Sequence, residues 1–321
     1  MAMKIQVFIP TFNRADKLRR AVDSVLTQTV PGLELVVLDN HSEDRTAQML
    51  AELSGLDARV RHIRRPQNIG MIPNMNAIRE LVDGDYFAML PDDDVYEPIF
   101  LEEALERFRQ YPDIDFVACN ALTKIGDRIE KSQLDYWREG RCAKGTAVLK
   151  CLLGHYPLIT NVLFRASLRE RFFFHSELGN VADGFVLTNL FASHHGYISK
   201  RVSGYWNNDG ENASVARAPN PIDIANVALS EYVLYRKEIA AGRLPRGWLP
   251  VLALKRNLSI LMVSRKIGFD RVRDESRMVT LVPPSMVWWL RALDRTKVIK
   301  VVVGTLGFAR KCYRRIVAFA H

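Results

Sequence analysis

The sequence predicts a doubly wound, mostly parallel α/β sheet with helices on both faces, followed by a basic helical C-terminal extension. Three observations lead there. Strand and helix patterns alternate four times over roughly the first ninety residues, polar residues follow the strand ends, and Lys and Arg accumulate after residue 254. Such alternation closes into a parallel sheet through right-handed crossovers, and open sheets of this kind bind nucleotides beyond the carboxyl ends of their strands.

The elements follow in order. Lys4 to Ile9 reads as a buried strand, ended by Pro10-Thr11-Phe12-Asn13-Arg14, where proline removes a ladder donor. Leu18, Ala21, Val22, Val25 and Leu26 recur at helical spacing from about Ala15 to Gln28, and Pro31-Gly32 breaks the chain. Leu33 to Leu38 is the next strand, ended by Asp39-Asn40-His41-Ser42-Glu43-Asp44, with Ser42 as the expected N-cap of a helix reaching Ser54. A short strand from Arg59 to Ile63 leads through Asn68-Ile69-Gly70 to a helix from Ile72 to Val82. In the stretch from Gly84 to Asp94 a short apolar strand, the fourth, runs into the carboxylates of Asp92-Asp93-Asp94.

Three adjacent carboxylates at the end of a core strand repel one another and resist burial, so they invite a cation. Hard oxygen ligands suit Mg2+ or Mn2+, ions that bind through one or two carboxylates plus substrate phosphates. The competing reading is a solvated acidic turn in which Asp94 or Glu97 caps the next helix. Thr11, Asn13 and Asp39 each have a pair of readings: nucleotide contact at the sheet edge, or helix cap for Thr11 and Asn13 and turn residue for Asp39. All of these residues fall on one predicted sheet edge. A flavodoxin-like or dinucleotide-binding sheet satisfies the same alternation, yet no G-x-G-x-x-G turn follows the first strand and no G-x-x-x-x-G-K loop occurs.

The ordered set of Pro10-Thr11-Phe12-Asn13-Arg14, Val36 through Asp44, Asn68-Ile69-Gly70-Met71-Ile72-Pro73-Asn74 and Gly84 through Asp94 resembles the family 2 glycosyltransferases of the GT-A fold. The likeness covers roughly the first 110 residues. It implies inverting transfer of a sugar from a nucleotide-diphosphate donor, with Mn2+ or Mg2+ as cofactor. It assigns Pro10, Thr11, Asn13, Asn68 and Gly70 to the nucleotide-sugar pocket, Asp39 to the nucleobase, and Asp92 to the ribose or sugar. Asp93, joined by Asp94, would hold the metal. Many members read Asp-x-Asp-Asp where this chain has Pro91-Asp92-Asp93-Asp94, which leaves open which carboxylates touch the metal.

The middle of the chain is expected to carry the acceptor side. Ile114 to Cys119 reads as a strand, and the polar stretch Arg128 to Gly145 as a loop. Ala182-Asp183-Gly184 resembles the family's late acidic motif, which makes Asp183 the implied general base; the alternative is a cap for a helix over Gly184 to Ser193. Tyr205 through Ser214 resembles a further motif whose histidine approaches the metal. Asp209 stands at that position, as a metal ligand or a turn residue, while Trp206 stacks on sugar or fills core.

The sequence divides into an expected catalytic region, residues 1–218, with a nucleotide-sugar half at 1–112 and an acceptor half at 113–218, and a helical region at 219–321 beginning at Pro219-Asn220-Pro221. Helical patterns there run from Ile222 to Ala240, Trp248 to Ile267 and Arg271 to Val279. From Lys255 to His321 there are 15 Lys and Arg against 4 Asp and Glu, an excess larger than the whole chain's +9, so the first 254 residues are slightly acidic. Basic segments bearing Trp288 and Trp289 suit an anionic membrane surface, the alternative being helices that pack on the catalytic region or form a dimer contact, and no apolar run approaches the roughly 20 residues needed to cross a membrane.

At 321 residues, 48% hydrophobic, the chain can bury a substantial core. Its four cysteines lack paired spacing, which fits reduced thiols, and the start runs directly into a strand, so a cytoplasmic protein, peripheral on the cytoplasmic membrane face, is expected. The expected partners are a nucleotide-sugar donor and a glycan or lipid-linked acceptor from bacterial surface-polysaccharide synthesis. Despite a pI of about 9.4, the sheet half lacks a basic stripe with stacking aromatics, which argues against a nucleic-acid partner. The other class in contention is a catalytically inactive nucleotide-sugar-binding or scaffold protein. Retention of Asp39, Asp93 and Asp183 argues against it.

Overall fold

The computed structural model describes residues 3–126, 128–132, 134–207, 220–267 and 269–278, together with residues 282, 285, 287, 290 and 291. Two compact units emerge, Met1–His175 with Ala182–Ala216, and Ser176–Val181 with Arg217–His321.

The first unit begins with the predicted alternation: β1 (Ile5–Thr11), α1 (Ala15–Leu26), β2 (Leu33–Asp39), α2 (Thr46–Leu56), β3 (Val60–Arg64), the short α3 (Met71–Asn76) and α4 (Ile78–Leu81), then β4 (Tyr86–Met89). It continues through β5 (Val95–Tyr96), α5 (Phe100–Gln110), β6 (Phe116–Ile125), β7 (Arg128–Ser132), β8 (Gly140–Cys142), α6 (Val148–Leu152), β9 (Val162–Arg165), α7 (Ala182–Ser193) and β10 (Gly196–Asn207). The strands lie in the order β3-β2-β1-β4-β9-β6-β10-β5, with β7 on β6 and β8 on β10. From β3 to β4 the pairing is parallel, as is β6 with β10. β9 runs antiparallel to both neighbours, and β5, β7 and β8 add antiparallel pairs, so the second half of the sheet is mixed.

Alternate strand residues feed opposite faces, as the pleat requires. Ile5, Val7, Ile9, Leu33, Leu35, Val37, Ala88 and Val117 join Leu18, Val22, Val25, Leu50 and Leu101 in one core with α1, α2 and α5. The intervening residues serve the other face, where Phe87 packs on Phe164 and Phe172, and Phe116 meets Phe191 of α7 edge-on at 4.9 Å.

Three local expectations change. The stretch read as a loop from Arg128 to Gly145 contains β7 and β8; both lie on ladders whose partners are β6 and β10, and that pairing leaves no local period. The helix expected over Ile72 to Val82 divides at Ala77 into α3 and α4. Ser42 does not cap α2; the Thr46 N–H instead donates to Asp44 Oδ1 at 3.0 Å.

In the second unit α8 (Pro221–Ala240) and α9 (Leu249–Ile267) follow the predicted helical patterns, whereas α10 (Phe269–Glu275) starts before the expected Arg271 and ends at Glu275, short of the expected Val279. Asn220 caps α8 by accepting from the Ile222 N–H at 3.1 Å, and Pro221 occupies the first turn, where its missing donor costs nothing. Ala225, Leu229, Ile260, Val263, Phe269 and Val272 form the core of this unit. No helix among the described residues is long and apolar enough to cross a membrane. Trp288, Trp289 and the basic residues beyond Arg291 lie outside the described residues.

Candidate active site

Register brings the strand ends together. Thr11 pairs with Asp39 at the end of β1 and β2, and Asp39 pairs with Arg64 at the end of β3. Phe8 pairs with Met89, so continuing that register places Thr11 level with the chain leaving β4, and the Thr11 hydroxyl donates to Asp92 Oδ2 at 2.8 Å.

The turn after β1 is tied to the turn after β2. Asn13 adopts φ 53°, a left-handed conformation that asparagine tolerates better than most side chains. Its N–H donates to Ser42 Oγ at 2.9 Å and its Oδ1 accepts from the Glu43 N–H at 2.7 Å. Asp39 is buried; Oδ1 accepts from the Ser42 N–H at 2.8 Å and Oδ2 from Arg64 Nη1 at 2.9 Å. Ser42 is thus a tie point between Asp39 and Asn13. A second bracket fixes the approach to α3: Asn68 Oδ1 accepts from Asn40 Nδ2 and from the Gly70 N–H, each at 2.8 Å, while Asn40 Oδ1 accepts from the Ile69 N–H. Gly70, at φ 87°, supplies the left-handed turn this requires.

The acidic turn carries three carboxylates in three environments. Arg14 Nη1 lies 3.2 Å from Asp92 Oδ1 and 3.0 Å from Asp93 Oδ2. Burial raises Asp92 to about 6, against the opposing pull of Thr11 and Arg14. Asp94 is enclosed completely. Its Oδ1 accepts from the Asn207 N–H at 3.0 Å and its Oδ2 from the Thr160 hydroxyl at 3.2 Å, and burial pushes its carboxyl well above the usual range. Asn207 Nδ2 also donates to the Asp93 carbonyl at 2.8 Å. Asp94, expected with Asp93 at the metal, therefore has both oxygens engaged in a bracket that ties the acidic turn to the end of β10. Register shifts between Ser199 and Gly204 re-aim that strand on the way to Asn207.

Asp183 occupies the first turn of α7, where its Oδ1 accepts from the Gly184 N–H at 2.7 Å. Burial raises it to about 6, against the backbone hydrogen bonds it accepts. A carboxyl poised there can take a proton near neutral pH. Nothing among the described contacts links Asp183 to Asp92 or Asp93, and Asp209 lies outside the described residues.

Among the described residues no set of three or more His, Cys, Asp or Glu is gathered to hold a metal. Asp92 and Asp93 present hard oxygens to a common cation, Arg14, and a pair of carboxylates completed by substrate phosphates is a sufficient donor set for Mg2+ or Mn2+. The sequence alone pointed to no role for Arg14, Arg64, Thr160 or Asn207. Arg14 sits within a motif that carries the family resemblance, but its partners are 78 and 79 residues away and leave no local signal.

The sequence model of glycosyl transferase family 2 matches residues 6–172, just over half the sequence, and the chain belongs to that family. Chondroitin synthase of Pasteurella multocida (strain Pm70) is 36% identical over 104 residues, which is 32% of this chain and 11% of that protein. The chain thus spans about a tenth of that relative's length. In overall fold it is similar to residues 1–349 of S. aureus TarS, solved in complex with UDP-GlcNAc, with a TM-score of 0.63 at 16% identity over 94% of this chain and 92% of that one. The mannosyltransferase PcManGT from Pyrobaculum calidifontis, solved with GDP-Man and Mn2+, gives 0.54 at 15% identity over 98% and 83%. These structural likenesses establish a GT-A glycosyltransferase fold.

Proposed function

We propose that this protein is an inverting, metal-dependent glycosyltransferase moving a hexosyl or related sugar from a nucleoside-diphosphate donor to a hydroxyl acceptor. One observation carries this reading: Thr11, Arg14, Asp39, Asp92 and Asp93, from three strand ends, converge on the carboxyl edge of the parallel sheet. The solved neighbours hold UDP-GlcNAc in one case and GDP-Man with Mn2+ in the other, which supports a nucleotide-sugar donor and a divalent ion here.

Asp39 and the stapled turns at Asn13 and Asn68 would hold the nucleoside and Asp93 the metal; Asp92, which the resemblance assigns to the ribose or sugar, shares Arg14 with Asp93 and would join it there. Bound there, the ion would neutralise charge on the departing diphosphate. Asp183 would accept the proton of the acceptor hydroxyl as its oxygen attacks the anomeric carbon from the face opposite the diphosphate, which inverts that centre. The polysaccharide-synthase relative favours an acceptor in bacterial surface-glycan or lipid-linked glycan synthesis, and the basic sequence after residue 284 a station on the cytoplasmic membrane face.

The test is calorimetry of UDP and GDP binding with Mn2+ and with EDTA. Wild type should bind one of them in a metal-dependent manner, and Asp93→Ala should lose that dependence while retaining its fold. Unchanged metal dependence in Asp93→Ala would remove Asp93 from the metal.

A further inference from the structure

The Arg14 guanidinium stands where the acidic turn most needs a cation. Its Nη1 lies between Asp92 Oδ1 and Asp93 Oδ2, at 3.2 and 3.0 Å, and the Arg14 side chain keeps 29% of its surface exposed while each carboxylate keeps 9%. The two carboxylates are thus nearly closed off from water, while Arg14 keeps part of its surface open to it. A divalent ion held by these carboxylates would draw on the same two oxygens, Asp92 Oδ1 and Asp93 Oδ2, so guanidinium and metal compete for them.

We propose that Arg14 is the resident counter-ion of the Asp92 and Asp93 pair and is displaced from it when the divalent ion and the donor diphosphate bind. This rests on the reading of the site as a metal-assisted nucleotide-sugar site. Arginine is suited to the exchange, because the guanidinium stays charged throughout and can pass from carboxylate to phosphate oxygens, for which its fork is equally matched. Asp92, Asp93 and Arg14 together carry one net negative charge when both carboxylates are ionised. A divalent cation arriving with a doubly charged diphosphate leaves that balance unchanged, whereas the ion alone makes the cluster net positive. Arg14 thus holds the carboxylates together before ligands bind, disfavours metal binding without nucleotide, and couples the two ligands.

The experiment is a calorimetric Mn2+ titration of the full chain as wild type, Arg14→Gln and Arg14→Lys, without nucleotide and with saturating UDP or GDP. Coupling between contacting charged groups of this kind puts the expected effect near tenfold, about 1.4 kcal/mol. Arg14→Gln should bind Mn2+ alone about tenfold more tightly than wild type and lose most of the enhancement that nucleotide confers. Arg14→Lys should stay near wild type. Equal Mn2+ affinity in all three overturns the displacement while leaving the metal reading intact. No Mn2+ binding by any of them, even with nucleotide, overturns both. Crystal structures of the wild type with and without Mn2+ and nucleoside diphosphate give a readout independent of the variants' folding: Arg14 should leave Asp92 and Asp93 in the loaded form, and retention of both contacts beside a bound ion refutes the proposal.

Discussion

At the scale of single residues, the role proposed for Asp183 joins chemistry to stability. Its carboxyl is raised from an ordinary 3.8 to about 6 by burial, so the folded protein binds its proton more tightly than the unfolded chain does. Stability from this group is therefore fully present below about pH 4 and is lost as pH rises through about 6. At neutral pH the proposed base is held charged at a cost of order 1–2 kcal/mol, since a tenfold change in proton affinity corresponds to about 1.4 kcal/mol and the residue keeps some contact with water. Asp183→Asn should then slow sugar transfer by about 10^2 to 10^4 with donor binding retained, and at pH 8 should melt no lower than wild type. Wild-type turnover should rise with pH through about 6. A variant that turns over at the wild-type rate, or a rate flat across that range, would leave Asp183 as a helix-terminal residue. Both readings of Asp183 came from the sequence: the family resemblance of its motif implied the base, and its place before Gly184 to Ser193 offered the helix cap. Ser42 was legible only in part. The residue type that caps helices also staples loops, and its bond to Asn13, 29 residues away, leaves no local trace.

At the scale of elements, α7 carries Asp183 and is set in place by a glycine. A Cβ built on Gly184 would lie 2.6 Å from Tyr156 Cε1 and 2.7 Å from Cζ, closer than real Cβ contacts allow. Gly184→Ala must push the ring or lift the first turn of α7, an overpacking worth about 1–3 kcal/mol. The expected outcome is a lower melting temperature and a fall in kcat larger than the change in donor affinity, because the disturbed turn holds Asp183 and none of the residues assigned to the nucleotide. An unchanged kcat at the reduced melting temperature would dissociate this packing from catalysis. The elements from β1 to β4 were readable because each strand is an apolar run and each helix repeats at 3.6 residues, both local properties. β7 and β8 were not, since their polar residues form strands through partners supplied by β6 and β10.

At the scale of the molecule, the charge asymmetry of the sequence places the proposed membrane contact in the C-terminal region. Lys and Arg near an anionic surface contribute about 1 kcal/mol each, and the attraction is screened over about 10 Å at 0.1 M salt. The full chain should sediment with anionic liposomes at low salt and lose that association as ionic strength rises; deletion of residues 285–321 should abolish it. Equal binding to neutral and anionic vesicles, or retention after the deletion, would refute the membrane role. Nothing in the sheet half anticipates this behaviour, since the first 254 residues carry slightly more acid than base.

The carboxyl edge makes its strongest claim in turnover. A panel of UDP-, GDP- and TDP-sugars, incubated with the full chain in Mn2+ or in EDTA, is assayed for release of nucleoside diphosphate. One nucleotide class should yield its diphosphate in Mn2+, with release suppressed in EDTA and in Asp93→Ala. Release from no member of the panel, with no thermal stabilisation by any of them, would contradict a nucleotide-sugar transferase and return the chain to the class of inactive scaffolds.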